Sequence, residues 1–406
     1  MFDLSGHRFD TADPRTYFRL DMNEARRPVG AGGGGGTVAV SVAAILSNQS
    51  GSGAIVASPD FAQYRYCWLR DGSFVAHALD RAGEVGAAER FHHWCAAAIV
   101  RIIPLITEVL DRHAAGQPVD ASRMPPARFS LEGLPLEDNW PNFQIDGYGT
   151  WLWSLHQHLQ LVGKQALPSG LRPAVEHSAR YLAEMGTSPC YDVWEESGGS
   201  VHTSTLACVY AGLRASAALL DDPALDERAD ALRAWLLDDA RRYGRFRKSD
   251  HSHEVDASLL WLCEPFRVVP SGERAFVETV RRISAELDLD GGVRRYPSDT
   301  YYGGGAWPVL TASLGLYYAS AGDLTAAERC RDWVAERVDD HGRLAEQFAG
   351  EKRDPEHYQE WFARWGPPAA DLVWSHAMYV VLATELEPRQ AVPNVTTETE
   401  PIGSQQ

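Results

Sequence analysis

Twelve stretches of this chain repeat apolar residues with helical spacing. They lie at 38–47, 71–83, 87–113, 146–163, 169–186, 201–220, 224–241, 255–263, 271–288, 307–321, 323–337 and 370–386. Period-two alternation is scarce, so the chain is expected to be all-α with strands confined to loops. Several of the breaks are short and polar, as in Leu220-Asp-Asp-Pro223 and Ala321-Gly-Asp323, which is how antiparallel helical neighbours are joined. A solenoid of helical pairs would hold a fixed period of roughly 30–47 residues with visible self-similarity. Here the spacing is uneven and no motif recurs. Six antiparallel pairs closed into a toroid, with an inner ring packed centrally and an outer ring covering it, fit the pattern better.

Both ends of the sequence differ from this body. Residues 1–36 are polar and finish in the run Gly32 to Gly36; with no preceding strand the run is not a nucleotide-binding fingerprint, and it reads as a flexible arm. Residues 388–406 are polar and proline-bearing, and read as a disordered tail. The domain expected between them is 37–387. The first twenty residues hold no apolar h-region and no run reaches 18 apolar residues, so neither a secretory signal nor a membrane span is expected. Cys67, Cys95, Cys190, Cys208, Cys263 and Cys330 are scattered without a CxxC pair, the usage of free thiols in a reducing compartment, and a cytoplasmic location is expected. The net charge of −17 has the wrong sign for a nucleic-acid reader or an anionic membrane surface. An acidic enzyme with a neutral substrate is the simplest class that survives.

The chemistry-bearing residues fall in the loops before alternate helices: 64–71, 138–146, 191–196, 255–258, 294–307, and 344–347 together with 374–376. In a toroid of six pairs such loops converge on one end. They combine Trp and Tyr with Arg, Asp and Glu. An aromatic ring covers the apolar C–H face of a pyranose, while Asp and Arg make charge-assisted hydrogen bonds to its hydroxyls. Glu195 and Glu196 adjoin each other after Trp194; like-charge repulsion and burial against the indole raise carboxyl pKa values, which keeps one of them protonated for acid catalysis. Glu346 is a partner from far along the chain. Two carboxylates flanking a glycosidic bond are the equipment of a glycosidase. The histidine pairs His92-His93, His156/His158 and His251/His253 have no third ligand at usable spacing, so no metal is expected.

Five stretches in order, YRYCWLRD (64–71), WPNFQID (140–146), YDVWEE (191–196), RRYPSDTYYGGGAW (294–307) and AEQ (345–347) with VWSHA (373–377), resemble glycoside hydrolase family 15, the glucoamylase family, over roughly residues 37–386. The resemblance implies an (α/α)6 barrel and inverting, exo-acting release of β-glucose from the non-reducing end of an α-glucoside, with no cofactor. It assigns Glu195 as general acid, Glu196 as its substrate-binding neighbour and Glu346 as general base. Arg70 and Asp71 match the pair that grips the terminal glucose. Trp68, Trp140, Arg295 and Trp307 match the lining of the innermost subsites, and Tyr64 the aromatic beneath the reacting sugar. Asp146 and Trp194 complete the substrate-binding set.

The sequence departs from the family pattern in two places. Bacterial members usually carry a β-sandwich before the barrel; with 36 residues before the first helix, neither that domain nor a starch-binding module after the barrel is expected. The stretch after Glu346 is long and aromatic (Phe348, Tyr358, Trp361, Phe362, Trp365) and is expected to wall off the site beyond the first leaving-group sugar. The expected partner is therefore a short α-linked gluco-oligosaccharide: isomaltose-type (α-1,6) first, maltose-type (α-1,4) second, trehalose third. Trehalase or glucoamylase activity of the same family remains open. So do a non-catalytic carbohydrate-binding toroid, a helical interaction scaffold and a phosphorolytic (α/α)6 enzyme.

Overall fold

The computed structural model describes residues 35–387 except 165 and 350–353. The expected arm up to residue 34 and the tail 388–406 lie outside the described residues. Helix α1 (Gly35–Ser47) takes up the last two glycines of the Gly32–Gly36 run.

Six helical segments buried on nearly every side form an inner ring: α2 (Leu69–Arg81), α5 (Asp146–Leu161), α7 (Thr203–Leu220), a 3-10 helix (Ala257–Leu262), α10 (Pro308–Ser320) and α13 (Val373–Leu386). Each packs on the next and α13 packs back on α2, closing the circle. Apart from α2, which carries Arg70, Asp71, Asp80 and Arg81, these segments hold at most one Asp, Glu, Lys or Arg each, and helices so apolar are stable only when buried on every side. Around them lie α1, α3 (Val85–Arg101), α6 (Arg172–Met185), α8 (Pro223–Tyr243), α9 (Arg274–Glu286) and α11 (Leu324–Ala335), each with one buried face and one wet face. The result is an all-α (α/α)6 toroid with no β-sandwich among the described residues. Helix α7 is apolar and long enough to span a bilayer by composition, with mean hydropathy 1.2 over 18 residues, yet 83% of that window is buried in the ring.

The inner ring closes tightly because two glycines meet. A Cβ on Gly212 would lie 2.6 Å from Gly149 Cα, and one on Gly149 would lie 2.2 Å from the Cys208 carbonyl oxygen. Helices α5 and α7 therefore approach closer than any side chain would allow.

Three helical boundaries differ from expectation. The stretch 87–113 is two helices, α3 and α4 (Ile103–Ala114), bent by 56°. Pro104 lacks the N–H that would continue the ladder, and Ile102 takes up the break. The fourth inner segment, expected as a helix over 255–263, is the 3-10 turn Ala257–Leu262, capped by the Asp256 carboxylate accepting from Ser258 N–H at 2.8 Å. A thirteenth helix, α12 (Pro355–Trp365), occupies the stretch after Glu346. Asp354 caps it and Pro355 starts it, the usual N-terminal signature.

Candidate active site

The loops before the inner segments meet at one end of the toroid, and two short strands begin the site. Strand β1 (Cys67–Trp68) pairs antiparallel with β2 (Arg128–Phe129), with Trp68 opposite Arg128. The chain then turns directly into α2, so Arg70 and Asp71 occupy its first turn. The Arg70 guanidinium donates to Asp146 Oδ2 and to Gln144 Oε1, both at 2.8 Å. Asp146 is fully buried behind Arg70 and is absent from the cavity wall; of the expected set, it alone holds a neighbour instead of facing the cavity. Asp71 Oδ2 lies 3.3 Å from Arg70 Nε without a hydrogen bond. Burial pushes its carboxyl up to about 6 against the pull of Arg70.

The next segment is a tight turn. Asp192 Oδ1 accepts the backbone N–H of Trp194 at 3.0 Å and of Glu196 at 2.9 Å. This places Glu195 at φ 67, a left-handed conformation that non-glycine residues adopt only under constraint. Glu195 is half-buried, and its Oε1 accepts the Trp68 indole N–H at 2.7 Å and the Gln144 amide at 2.9 Å. Its Oε2 has no hydrogen bond among the described residues. Glu196 turns the other way, accepting from Arg295 at 3.2 Å and from the Tyr296 hydroxyl. Arg295 is itself gripped by Asp299 and faces the rings of Trp194 and Trp307 at 5.3 and 5.6 Å.

Glu346 arrives from the loop before α13. Its backbone N–H bonds the Ala369 carbonyl at 3.0 Å, and its side chain is buried. Tyr64 donates to its Oε1 at 3.0 Å, and the Tyr301 hydroxyl lies 3.3 Å from its Oε2. Burial pushes Glu346 up to about 8, opposed by these two phenols and by Arg295. Tyr64 also stands edge-on to Trp68, with ring centroids 5.7 Å apart. It therefore bridges from the indole that holds Glu195 to the carboxyl of Glu346. Burial and the charge of Glu346 push its own phenol well up, so it stays a donor.

Tyr64, Trp68, Arg70, Asp71, Trp140, Trp194, Glu195, Glu196, Arg295, Trp307 and Glu346 all line one cavity of about 740 Å³, within the range that encloses a small ligand. The buried indole N–H groups of Trp140, Trp307 and Trp374 have no acceptor among the described residues. Of the aromatic stretch after Glu346, Trp361 and Trp365 reach the cavity wall together with Arg364. Phe348 packs on Trp333 of the outer ring instead, and Tyr358 and Phe362 touch each other.

Sequence reasoning did not single out Gln144, Arg128, Tyr301 and Asp192. Arg128 is sandwiched on Trp140 and Tyr66 at 4.3 and 4.7 Å. Gln144 and Tyr301 lay inside quoted motifs, but what makes them functional is a contact with a residue 51 or 45 positions away. The histidine expectation also changes. His92 and His158 come together with Asp80 at the other end of α2 and α5, with all three offered ligand atoms within 4.8 Å. Asp80 is already bound to His158 Nδ1 at 2.9 Å, so the group is three residues where a closed site takes four.

The model of the family described as glycosyl hydrolases family 15 matches residues 37–365. The isomaltose glucohydrolase of Kribbella flavida is 38% identical over 351 residues, covering 85% of this chain and 91% of that protein. A solved glycosidase variant in complex with glucose superposes with a TM-score of 0.82 at 37% identity, over 86% of this chain and 96% of that one. A bacterial glucoamylase complexed with acarbose shares the fold at a TM-score of 0.64 and 19% identity, over 86% of this chain and 55% of that one. On the family match and the Kribbella relative, this chain belongs to glycosyl hydrolases family 15 and is a glycoside hydrolase.

Proposed function

We propose that this protein is an inverting, exo-acting α-glucoside hydrolase that releases β-glucose from the non-reducing end of short α-glucosides, with α-1,6 linkages ahead of α-1,4. The observation that carries the reading is the unlike setting of two carboxyls on one cavity. Glu195 has both protein donors on Oε1, which leaves Oε2 to carry a proton. Glu346 receives hydrogen bonds from two phenols, which oppose the upward push of its burial and point both its oxygens at donors, the setting of an acceptor. Glu195 protonates the glycosidic oxygen as the C–O bond breaks. Glu346 takes a proton from the water that attacks the anomeric carbon from the other face. Inversion needs room for that water, with the carboxyls about 6.5–9.5 Å apart. Arg70 and Asp71 hold the glucose hydroxyls, and the oxygen of Tyr64 faces the developing oxocarbenium ion. Glu196 and Arg295 complete the grip on the sugar.

The preference for α-1,6 linkage is supported by the Kribbella isomaltose glucohydrolase, and that for short substrates by the wall of Trp361, Arg364 and Trp365. No nucleic acid or membrane partner enters this reading. A cytoplasmic location is part of it, supported by six cysteines that are all free and buried. The test is glucose release from isomaltose, maltose, trehalose, nigerose and longer oligomers at equal concentration. The highest kcat/KM is expected for isomaltose. A higher value for trehalose, or one that climbs with chain length, would replace the linkage and size assignments.

A further inference from the structure

Behind the turn that carries Glu195 lies a cation absent from the cavity wall. Lys248 follows α8 in a tethered segment: its N–H donates to the Glu254 carbonyl at 3.2 Å, and its carbonyl accepts the N–H of Thr203, the first residue of α7, at 3.1 Å. Its side chain is 9% exposed, and Nζ lies 3.2 Å from Asp256 Oδ2 and 3.7 Å from Asp192 Oδ2. The centroid of the Tyr296 ring is 3.1 Å from the same nitrogen.

The two carboxylates are what build the turn. Asp192 holds the N–H groups of Trp194 and Glu196 through Oδ1. Its main chain closes the loop, accepting from Glu195 N–H at 2.9 Å and donating to the Glu196 carbonyl at 2.9 Å. Asp256 accepts the Trp194 indole N–H at 2.9 Å, and Ser258 donates to it twice through N–H and hydroxyl. Asp256 is thus well satisfied without Lys248. Asp192 Oδ2 has no hydrogen-bond donor, so among the described residues Lys248 is the cation paired with it. Burial pushes Asp192 up to about 7, with Lys248 the first opposing influence.

We propose that Lys248 is a positioning residue for the acid step: its ammonium neutralises Asp192 and so fixes the strained turn that aims Glu195 at the leaving oxygen. This rests on the reading of Glu195 as the acid. Glu196 has independent anchors in Arg295 and Tyr296, and the Trp194 indole in Asp256. Loss of Lys248 therefore disturbs proton delivery before it disturbs the grip on glucose.

The test compares two substrates. Isomaltose needs a proton on its leaving oxygen; α-glucosyl fluoride does not, because the C–F bond breaks to release fluoride while water, deprotonated by Glu346, bonds to the anomeric carbon. A misplacement of about 1 Å can cost on the order of 100-fold in rate. For Lys248→Met, kcat on isomaltose is expected to fall about 10- to 100-fold, with fluoride hydrolysis down less than about threefold. In Lys248→Met/Asp192→Asn, isomaltose turnover should return to near that of Asp192→Asn alone. Equal losses on both substrates, or no loss, overturn the proposal. If Lys248→Met does not fold, the Asp192→Asn background decides: Lys248→Met costs little there if it acts through Asp192, and about tenfold or more if it does not. Glu195→Gln is the control for the underlying reading. If it fails to spare the fluoride, Glu195 is not the acid; if it spares the fluoride and Lys248→Met does not, only the role of Lys248 falls.

Discussion

Removing the Tyr64 hydroxyl tests how the cavity sets the charge of Glu346. In Tyr64→Phe, Glu346 loses the donor at 3.0 Å and keeps the Tyr301 hydroxyl at 3.3 Å from Oε2. A hydrogen bond to a charged group contributes about 1.5–3 kcal/mol, and about 1.4 kcal/mol is one pKa unit. The full loss would raise Glu346 by about one to two units, and closer approach of Tyr301 places the expected shift at the lower end, about one unit. The lost bond favoured the ionised form, so the pKa rises, and Glu346 must be ionised to accept a proton from water. The acidic limb of kcat/KM therefore moves to higher pH by about one unit, and below the limb the rate falls about tenfold. Any contribution of Tyr64 to the oxocarbenium ion lowers the whole curve by a constant factor and is separable. The assay is glucose release from isomaltose between pH 4 and 9 for both proteins. A curve that drops without moving its acidic limb would show that Tyr64 does not set the protonation of Glu346.

Three further outcomes follow from the geometry. Glu346→Gln should reduce kcat by about 10²–10⁴-fold, the range for a lost general base, and abolish the acidic limb; near-wild-type turnover would remove Glu346 from the mechanism. The wild-type protein should show its highest kcat/KM on disaccharides, and Trp361→Ala should raise the trisaccharide-to-disaccharide ratio by roughly three- to tenfold, given that an aromatic contact contributes about 0.5–1.5 kcal/mol; an unchanged ratio would mean that α12 does not bound the leaving-group site. Gly149→Ala should destabilise the fold by about 1–3 kcal/mol through overpacking against the Cys208 carbonyl, visible as a lower Tm in thermal unfolding, whereas Gly170→Ala, with nothing within 4 Å of the added Cβ, should not show the overpacking loss.

The toroid was legible because its inner segments, apart from α2, are nearly free of charged residues while its outer ones are striped, and the polar turns between them are short. Boundaries failed where local chemistry overrode periodicity. Pro104 breaks a stretch whose apolar spacing runs on unbroken, and Ala257–Leu262 is so uniformly apolar that its pattern carries no period to distinguish a 3-10 turn from an α-helix. Helix α12 carried its signal in Asp354-Pro355, masked by the density of aromatic and charged residues that follows. In the site, Trp, Arg, Asp and Glu clustered in loops announced a sugar, but the division of labour among the glutamates came from the family resemblance. What the sequence hid were the supports. Gln144 matters because it touches both Arg70 and Glu195, and Lys248 because it lies against Asp192 and Asp256. Those pairings exist only once α2, α5, α7 and the 3-10 turn have closed into a ring.

The anomeric form of the first glucose released reports the roles of both carboxyls at once. Isomaltose hydrolysis followed by proton NMR, faster than mutarotation, should show the β-anomer appearing first, because water held by Glu346 attacks from the face opposite the bond that Glu195 protonates. First-formed α-glucose would mean retention of configuration, and Glu346 could then not be the base that activates water.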